Sequence, residues 1–284
     1  LLGVKQTQLR DDEKAFIHGP VTTLCHMIDE WQLMQERKLP DAIWDYLKKE
    51  KFFAMIIPTA YKGLALSAYA HSTVIAQLSA KCTALGIIVM VPNSLGPAEL
   101  LIHYGTEKQK EYYLPRLATG KDIPCFALTE PKAGSDAGSI QAHGEVFKDD
   151  DGKLYLRLHF EKRWITLARI ATVIGLAFTL SDPKNYLGKG TTPGITCALL
   201  PADTPGITRD KQHDPMGIPF YNAPISGHNV IAPIDVIIGG PEKVGMGWKM
   251  LMECLAAGRG ISLPANAIGG SQLASASSSA LLKY

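Results

Sequence analysis

The N-terminal part of the chain carries apolar residues at the three- and four-residue spacing of amphipathic helices, with short Gly and Pro segments between them. The segments with this spacing are residues 21–34, 40–53 and 68–85. Thr106 and Gln109 have the spacing of a capping box, so a further helix is expected to begin there and to end at Gly120. We therefore predict an N-terminal α-helical domain over residues 1–122.

Beyond Asp122 the pattern changes to short apolar or alternating segments divided by turn sequences such as Asp150-Asp-Gly152. Such segments are typical of β-strands. The predicted strands are residues 125–129, 154–160, 171–180, 194–200 and 230–238. After Gly239-Gly240 the helical spacing returns. We predict an α+β multidomain chain, with a middle β-barrel-like domain over residues 123–239 and the beginning of a C-terminal helical domain, which stops early, over residues 240–284.

Composition narrows the class of protein. A net charge of +2 gives no sustained basic field, so nucleic acid is excluded as a partner. The five cysteines are widely spaced, and neither they nor the scattered histidines have metal-ligand spacing, so we expect no disulfide framework and no metal site. No apolar run approaches the roughly 18–20 residues that span a bilayer. A cytoplasmic location is expected, and any membrane association is assigned to segments outside this chain.

The string Cys125-Phe-Ala-Leu-Thr-Glu-Pro-Lys-Ala-Gly-Ser-Asp136 joins an apolar strand to a turn. Its Pro and Gly residues expose backbone N–H groups, which can hold a planar or anionic ligand. The string resembles the flavin-binding signature of the acyl-CoA dehydrogenase family, as does Trp164-Ile-Thr166. Asn93-Ser-Leu-Gly96 and Gly245-Met-Gly-Trp248 match in the same order, and residues 90–97 and 250–261 look most like the bacterial long-chain branch.

The resemblance implies FAD as the cofactor. Trp164 would lie along the isoalloxazine ring with the Thr166 hydroxyl near N5, and Thr129 would contact the pyrimidine side. The residues assigned to the flavin are Phe126, Ala127, Leu128, Thr129, Glu130, Gly134, Ser135, Trp164, Ile165 and Thr166. Taken singly, Trp164 is also explained as a core aromatic and Thr129 as a strand former. Glu130 is expected to be structural, and Leu167-Ala168 replace the Asn-Gly that is usual in the family after Thr166.

The resemblance also assigns substrate contacts. Ser135 and Arg259 would approach the coenzyme A moiety, and Ile87, Val91 and Leu95 would border the acyl tail, although Pro92 argues against an uninterrupted helix there. Two alternatives stay open at this point. The three apolar residues are equally explained by core packing, and Arg259 by the dipole at the end of a helix.

The function implied is oxidation of a long-chain acyl-CoA to trans-2-enoyl-CoA in fatty acid β-oxidation, with hydride transfer to flavin N5 and electrons passed to an electron-transfer flavoprotein. Homodimers or homotetramers are expected. No catalytic residue is assigned, because the family's glutamate base is expected beyond Tyr284; Gly258 occupies the alternative position, and Glu253 lies five residues before it. The alternatives are an acyl-CoA oxidase, a flavin monooxygenase of the same fold, or a non-catalytic flavin- or CoA-binding fragment.

Overall fold

The N-terminal half is helical in the computed structural model, which describes residues 7–282. Its helices are α1 (Asp11–Phe16), α2 (Thr22–Met27), α3 (Glu30–Glu36), α4 (Asp41–Lys49), α5 (Ala68–Lys81), α6 (Thr83–Met90), α7 (Pro97–Tyr104) and α8 (Glu107–Ala118). The helix predicted over 21–34 is divided, because Ile28 and Asp29 are extended and the Asp29 side chain caps α3 by accepting from Gln32 N at 3.0 Å.

The capping box at the start of α8 is confirmed, and it also joins the helices to the strands. Thr106 Oγ1 accepts from Gln109 N at 3.2 Å, and Gln109 Oε1 accepts from Thr106 N at 3.1 Å. The amide nitrogen of Gln109 then donates to the carbonyl oxygens of Asp235 and Ile237 at 3.0 and 2.7 Å. Beyond the end of α8, Gly120 adopts φ +65°, the left-handed conformation expected of a glycine that stops a helix.

The regular α-helix does not continue through Pro92, as the sequence predicts. Helix α6 ends at Met90, the π-type turn Val91–Leu95 accommodates the missing N–H of the proline, and Gly96 is extended before α7 begins. Taken together, Thr83–Tyr104 is, among the described residues, the one helical stretch long and apolar enough to cross a membrane, and 78% of its most apolar window is buried within the fold. It forms part of the core between the other helices and the strands.

Within the part of the chain that the structure describes, seven strands form one mixed sheet. They are β1 (Pro124–Ala127), β2 (His143–Lys148), β3 (Leu154–Ile165), β4 (Val173–Ser181), β5 (Gly194–Pro201), β6 (Ile207–Arg209) and β7 (Ala223–Pro233). Strand β5 lies antiparallel along one edge of β4. Both β1 and β2 pair parallel with β4, β1 at its beginning and β2 at its end. They therefore lie one after the other along its second edge, and the loop 128–142 leaves the sheet between them.

The strand predicted over 230–238 was placed too late in the chain. Strand β7 begins at Ala223, and residues Ile234–Val236 form a turn of 3-10 helix. The early part of β7 carries few β-branched residues, yet it pairs with β3, where Gly227 lies opposite Phe160 and leaves room for its ring. Strands β2 and β6 were not predicted.

The C-terminal segment is helical and folds back on the N-terminal helices. It comprises α9 (Gly247–Ala257), a π-type turn (Gly258–Ser262) and α10 (Leu263–Leu281). Helix α10 packs closely on α5, where Ser79 Oγ donates to Asn266 Oδ1 at 2.8 Å and a Cβ at Gly269 would lie 2.4 Å from Ala76 O. The helical, β, helical order and the α+β class are confirmed; the boundaries at 122 and 239 stay predictions.

Candidate functional site

The two segments that carry the resemblance lie side by side. Arg163 N donates to Thr129 O at 2.9 Å, which joins the end of β3 to the loop after β1. The register between β3 and β7 shifts between Lys162 and Ile165, so the chain bulges there. Within this bulge Trp164 adopts φ +60°, and the residue is 53% exposed. A bulge that turns a large aromatic side chain toward solvent is typical of binding sites.

The turn after Thr166 is left-handed even without the usual Asn-Gly. Leu167 adopts φ +64° while its side chain is fully buried. Asparagine would adopt this conformation at little cost, whereas leucine is strained in it. Burial of the leucine side chain compensates for this strain.

His213 lies against Trp164, edge to face, with the ring centres 4.8 Å apart. Its Nε2 atom is enclosed and has no hydrogen-bond partner among the described residues. An enclosed polar atom without a partner is uncommon in proteins. The sequence gave no signal for the contact with Trp164, because His213 is brought to it only by the fold.

The loop that carries His213 is held by the N-terminal helices. Arg37 forms an ion pair with Asp214, and Gln212 Nε2 donates to Arg37 O at 3.3 Å. A few residues further, the hydroxyl of Tyr221 accepts from Leu39 N at 2.7 Å. The helical region thus fixes one wall of the candidate site.

The first segment contributes mainly backbone. Phe126 lies opposite Gly175 in the sheet, and a Cβ at Gly175 would come within 2.5 Å of its ring, so the ring lies across β4. Ala127 and Ile165 are buried core residues. Leu128 and Thr129 are half-buried, as is Thr166 in the second segment. The segment can therefore offer its peptide groups and the Thr129 side chain to a ligand.

The Glu130 carboxylate is buried and bonded to other groups of the protein. Its side chain is 4% exposed, and the carboxylate accepts from Lys162 Nζ at 2.8 Å, from Gln141 N at 2.6 Å and from Ala142 N at 3.0 Å. This agrees with the structural role expected for Glu130, and its assignment to the flavin stays a prediction. Lys162 was missed by the sequence analysis.

Beyond Glu130 the loop is open. Gly134 and Ser135 are exposed, and a Cβ at Gly134 would meet nothing within 4 Å. Trp248 of α9 approaches from the other side, about 4.0 Å from a Cβ built at Gly138. The exposed backbone of this loop and the indole of Trp248 form an accessible surface.

The predicted acyl-tail residues lie on the helical stretch 83–104. Val91 is buried, and Ile87 and Leu95 are half-buried against the core, which is the packing alternative left open above. The π-type turn that contains Arg259 is pressed against the same stretch, because a Cβ at Gly258 would lie 2.3 Å from Ser94 O. Leu95 and the exposed Arg259 are thus brought into one neighbourhood. Their contact with substrate stays a prediction.

Neither candidate position offers a base. The approach of Gly258 to Ser94 O leaves no room for a longer side chain. Glu253 is exposed, accepts a hydrogen bond from the Tyr104 hydroxyl, and lies 3.8 Å from Lys249 Nζ. No residue of the described chain is assigned as the base.

Two of the buried cysteines, Cys125 and Cys197, have raised pKa values. Burial raises the pKa of Cys125 to about 12 and that of Cys197 likewise to about 12, so both thiols stay protonated at neutral pH. Over residues 7–282, no group of three or more His, Cys, Asp or Glu side chains is arranged to hold a metal ion.

Comparison with known proteins decides the family. The sequence model of the acyl-CoA dehydrogenase N-terminal domain matches residues 5–121, and that of the middle domain matches residues 125–230. The chain belongs to the acyl-CoA dehydrogenase family.

One of two similar proteins carries the family's name, and the other does not. The chain is 32% identical over 246 residues to the mitochondrial short-chain specific acyl-CoA dehydrogenase of Bos taurus, covering 86% of this chain and 55% of that protein. It is also 47% identical to Protein HemX of Proteus mirabilis over 108 residues, 38% of this chain and 64% of that protein. The chain therefore spans about half to two thirds of these two proteins.

The fold agrees as well. The structure of butyryl-CoA dehydrogenase from Megasphaera elsdenii superimposes with a TM-score of 0.79 at 24% identity, over 93% of this chain and 67% of that one. At this identity the likeness bears on the fold alone. The acyl-CoA dehydrogenase fold of helices, curled mixed sheet and helices is thus the architecture of this chain.

Proposed function

We propose that the chain forms the flavin-binding part of an FAD-dependent acyl-CoA dehydrogenase, which oxidises an acyl-CoA to trans-2-enoyl-CoA. The observation that carries the proposal is the hydrogen bond of 2.9 Å from Arg163 N to Thr129 O, which sets the two signature segments side by side at the exposed Trp164 indole. Membership of the family supports the same cofactor and the same reaction class.

The residues present fit an isoalloxazine and a diphosphate. Trp164 offers an indole that is 53% exposed, with the Arg163 guanidinium 5.3 Å from the centre of its ring, and Thr129 and Thr166 carry hydroxyl groups in the two signature segments. The exposed backbone at Gly134 and Ser135 offers N–H groups suited to an anion. When bound, FAD supplies the hydride acceptor N5. The protein's part is to hold the ring and to exclude water from one face.

The first test is a titration of the chain with FAD, followed by quenching of flavin fluorescence. The 284-residue chain alone should bind FAD weakly. Trp164→Ala should weaken binding at least about tenfold, because the stacking face is lost. Trp31→Ala is the matched control, since Trp31 is a 75% exposed tryptophan on α3. The proposal would be contradicted if both variants bound FAD as tightly as the wild type, or if the wild-type chain bound no FAD.

The substrate is proposed to be a long-chain acyl-CoA of fatty acid β-oxidation. Ile87, Val91 and Leu95 are apolar and follow one another along the helical stretch beside the turn that carries Arg259. Turnover of C4, C8 and C16 acyl-CoA by the complete protein would test this. A preference for C16 is expected, and a preference for C4 would contradict the long-chain assignment.

The partners proposed are an electron-transfer flavoprotein as electron acceptor and further copies of the chain in a homodimer or homotetramer. The proposed location is the cytoplasm.

The proton-abstracting base is assigned outside residues 1–284, so ferrocenium-coupled turnover by this chain alone should be absent. Full turnover by the purified 284-residue chain would contradict that assignment.

A second candidate function is a flavin- or CoA-binding scaffold without dehydrogenase activity. The observation that favours it is the close approach of Gly258 to Ser94 O, which excludes a base at the one alternative position within this chain. Flavin reduction by acyl-CoA under anaerobic conditions in the complete protein separates the two. Bleaching of the flavin supports the dehydrogenase, and an unchanged spectrum supports the scaffold.

A further inference from the structure

Lys162 is a buried cation between the two signature segments. Its side chain has 0% exposure, and its ammonium group donates to Leu128 O at 3.0 Å, to Ala177 O at 2.8 Å and to Glu130 Oε1 at 2.8 Å. All three N–H donors are thereby used. Burying an ammonium costs several kcal/mol unless every donor is satisfied, so this full set of acceptors is what allows the residue to lie here.

The ammonium fills a gap in the sheet. Pairing of β1 with β4 ends at Ala127 and Leu176, and pairing of β2 with β4 begins at His143 and Thr179. Ala177 lies between these points, where the edge of β4 has no neighbouring strand. Strand β3 continues past the start of β2, and from there Lys162 reaches the carbonyl oxygen of Ala177. A side chain thus replaces the missing strand at the place where the loop 128–142 leaves the sheet.

Glu130 extends the tie to the far end of that loop. Its carboxylate joins Lys162 to the backbone N–H groups of Gln141 and Ala142, the two residues that precede β2. The beginning and the end of the loop are therefore fastened to the same buried ion pair. Between them the chain stays exposed around Gly134 and Ser135.

The contacts also set the orientation of two peptide groups. Leu128 O points to Lys162 Nζ, and Thr129 O points to Arg163 N. Because each peptide group is planar, the N–H of Thr129 is directed away from Lys162. The presentation of Thr129 thus depends on the ammonium group.

We propose that Lys162 is a positioning residue for the flavin: with Glu130 it holds the loop 128–142 and the Trp164 bulge in the arrangement that binds FAD. The inference rests on the proposed function and deepens it, since neither side chain need touch the cofactor. It predicts that a double variant in which both Lys162 and Glu130 are replaced by uncharged residues loses FAD affinity even when the protein stays folded.

The experiment compares the wild-type chain with Lys162→Met, the double variant Lys162→Met with Glu130→Met, and Lys132→Met as a control. Lys132 is an exposed lysine of the same loop. FAD affinity is measured by fluorescence quenching, and amide hydrogen exchange across residues 128–142 is measured without FAD. Thermal unfolding reports whether each variant is folded.

The double variant should fold, because apolar side chains of similar size can replace a buried ion pair. It should bind FAD at least about tenfold more weakly, the size of effect expected when an ordered contact is lost, and exchange its loop amides faster. Lys132→Met should match the wild type. A folded double variant with wild-type FAD affinity and wild-type exchange overturns the inference alone. A wild-type chain that binds no FAD overturns the proposed function and the inference with it.

Discussion

Two buried basic side chains, one in the helical region and one in the sheet, differ in whether the fold gives them hydrogen-bond partners. His71 on α5 is 3% exposed, its Nε2 has no partner among the described residues, and burial lowers its pKa to about 4. Lys162 is buried as deeply but has three acceptors, and the Glu130 carboxylate opposes the lowering of its pKa by burial. His71, which has no hydrogen-bond partner at Nε2 within residues 7–282, is neutral at pH 7. Lys162 has an acceptor for each of its three N–H donors, and its ammonium group joins neighbouring segments of the sheet and the loop.

The largest expected effect comes from breaking the charged pair. Lys162→Met leaves the Glu130 carboxylate buried beside two N–H donors but without its cation, so unfolding free energy should fall by about 3–5 kcal/mol. The double variant with Glu130→Met should recover only part of this loss, because it removes the unpaired charge but leaves backbone groups such as Ala177 O and Ala142 N without partners. Urea denaturation followed by circular dichroism measures both. Equal losses in the single and double variants would show that the two side chains act independently.

The second effect tests the neutral histidine through pH. The pKa of His71 is about 4 in the folded chain against 6.5 ordinarily, so the unfolded state takes up the proton first. Stability from this group is full above pH 6.5 and falls as the pH drops toward 4, by about 3 kcal/mol in total. About 2 kcal/mol of it should be lost by pH 5.

The matched variants for this effect are His71→Leu and His26→Leu. The first removes the buried imidazole and should flatten the dependence of stability between pH 7 and 5, whereas the second changes an exposed histidine of α2 and should leave it unchanged. Urea midpoints at pH 7, 6 and 5 give the comparison. Parallel curves for the wild type and His71→Leu would exclude His71 as the source.

The smallest expected effect comes from displacing a residue just before the loop 128–142. Gly175→Ala places a Cβ 2.5 Å from the ring of Phe126, two residues before Leu128, and the ring must shift. Overpacking of this kind costs about 1–3 kcal/mol. FAD affinity should fall together with stability, because the displaced residue lies in β1 immediately upstream of the loop. Gly19→Ala is the control, since a Cβ there meets nothing within 4 Å; its FAD affinity should equal that of the wild type.

Much of the fold could be predicted because its signals are local. The capping box at Thr106 and Gln109 and the stop at Gly120 depend on residues a few positions apart, and the structure has both. Strand β7 was misplaced and β2 was missed, because their stability comes from pairing with β3 rather than from their own composition.

The candidate site divides in the same manner. Trp164 and Thr129 were predicted from strings that resemble a known signature, and the fold places their segments side by side. Lys162 and His213 were not predicted. The acceptors of Lys162 lie up to 34 positions away in the chain, and His213 lies in a loop, whereas the Trp164 ring that it contacts is on β3.

The sequence by itself determined the family, the order of helical and β regions and the residues of the two signature segments, because each is written in contiguous strings. Only the tertiary structure decided that Glu130 forms an ion pair with the buried Lys162 and that β1 and β2 leave a gap on the edge of β4. It also decided that Trp164 lies in a bulge with a left-handed backbone conformation. The physical reason is that hydrogen-bond acceptors and free space arise from segments distant in the chain, and only folding brings them together.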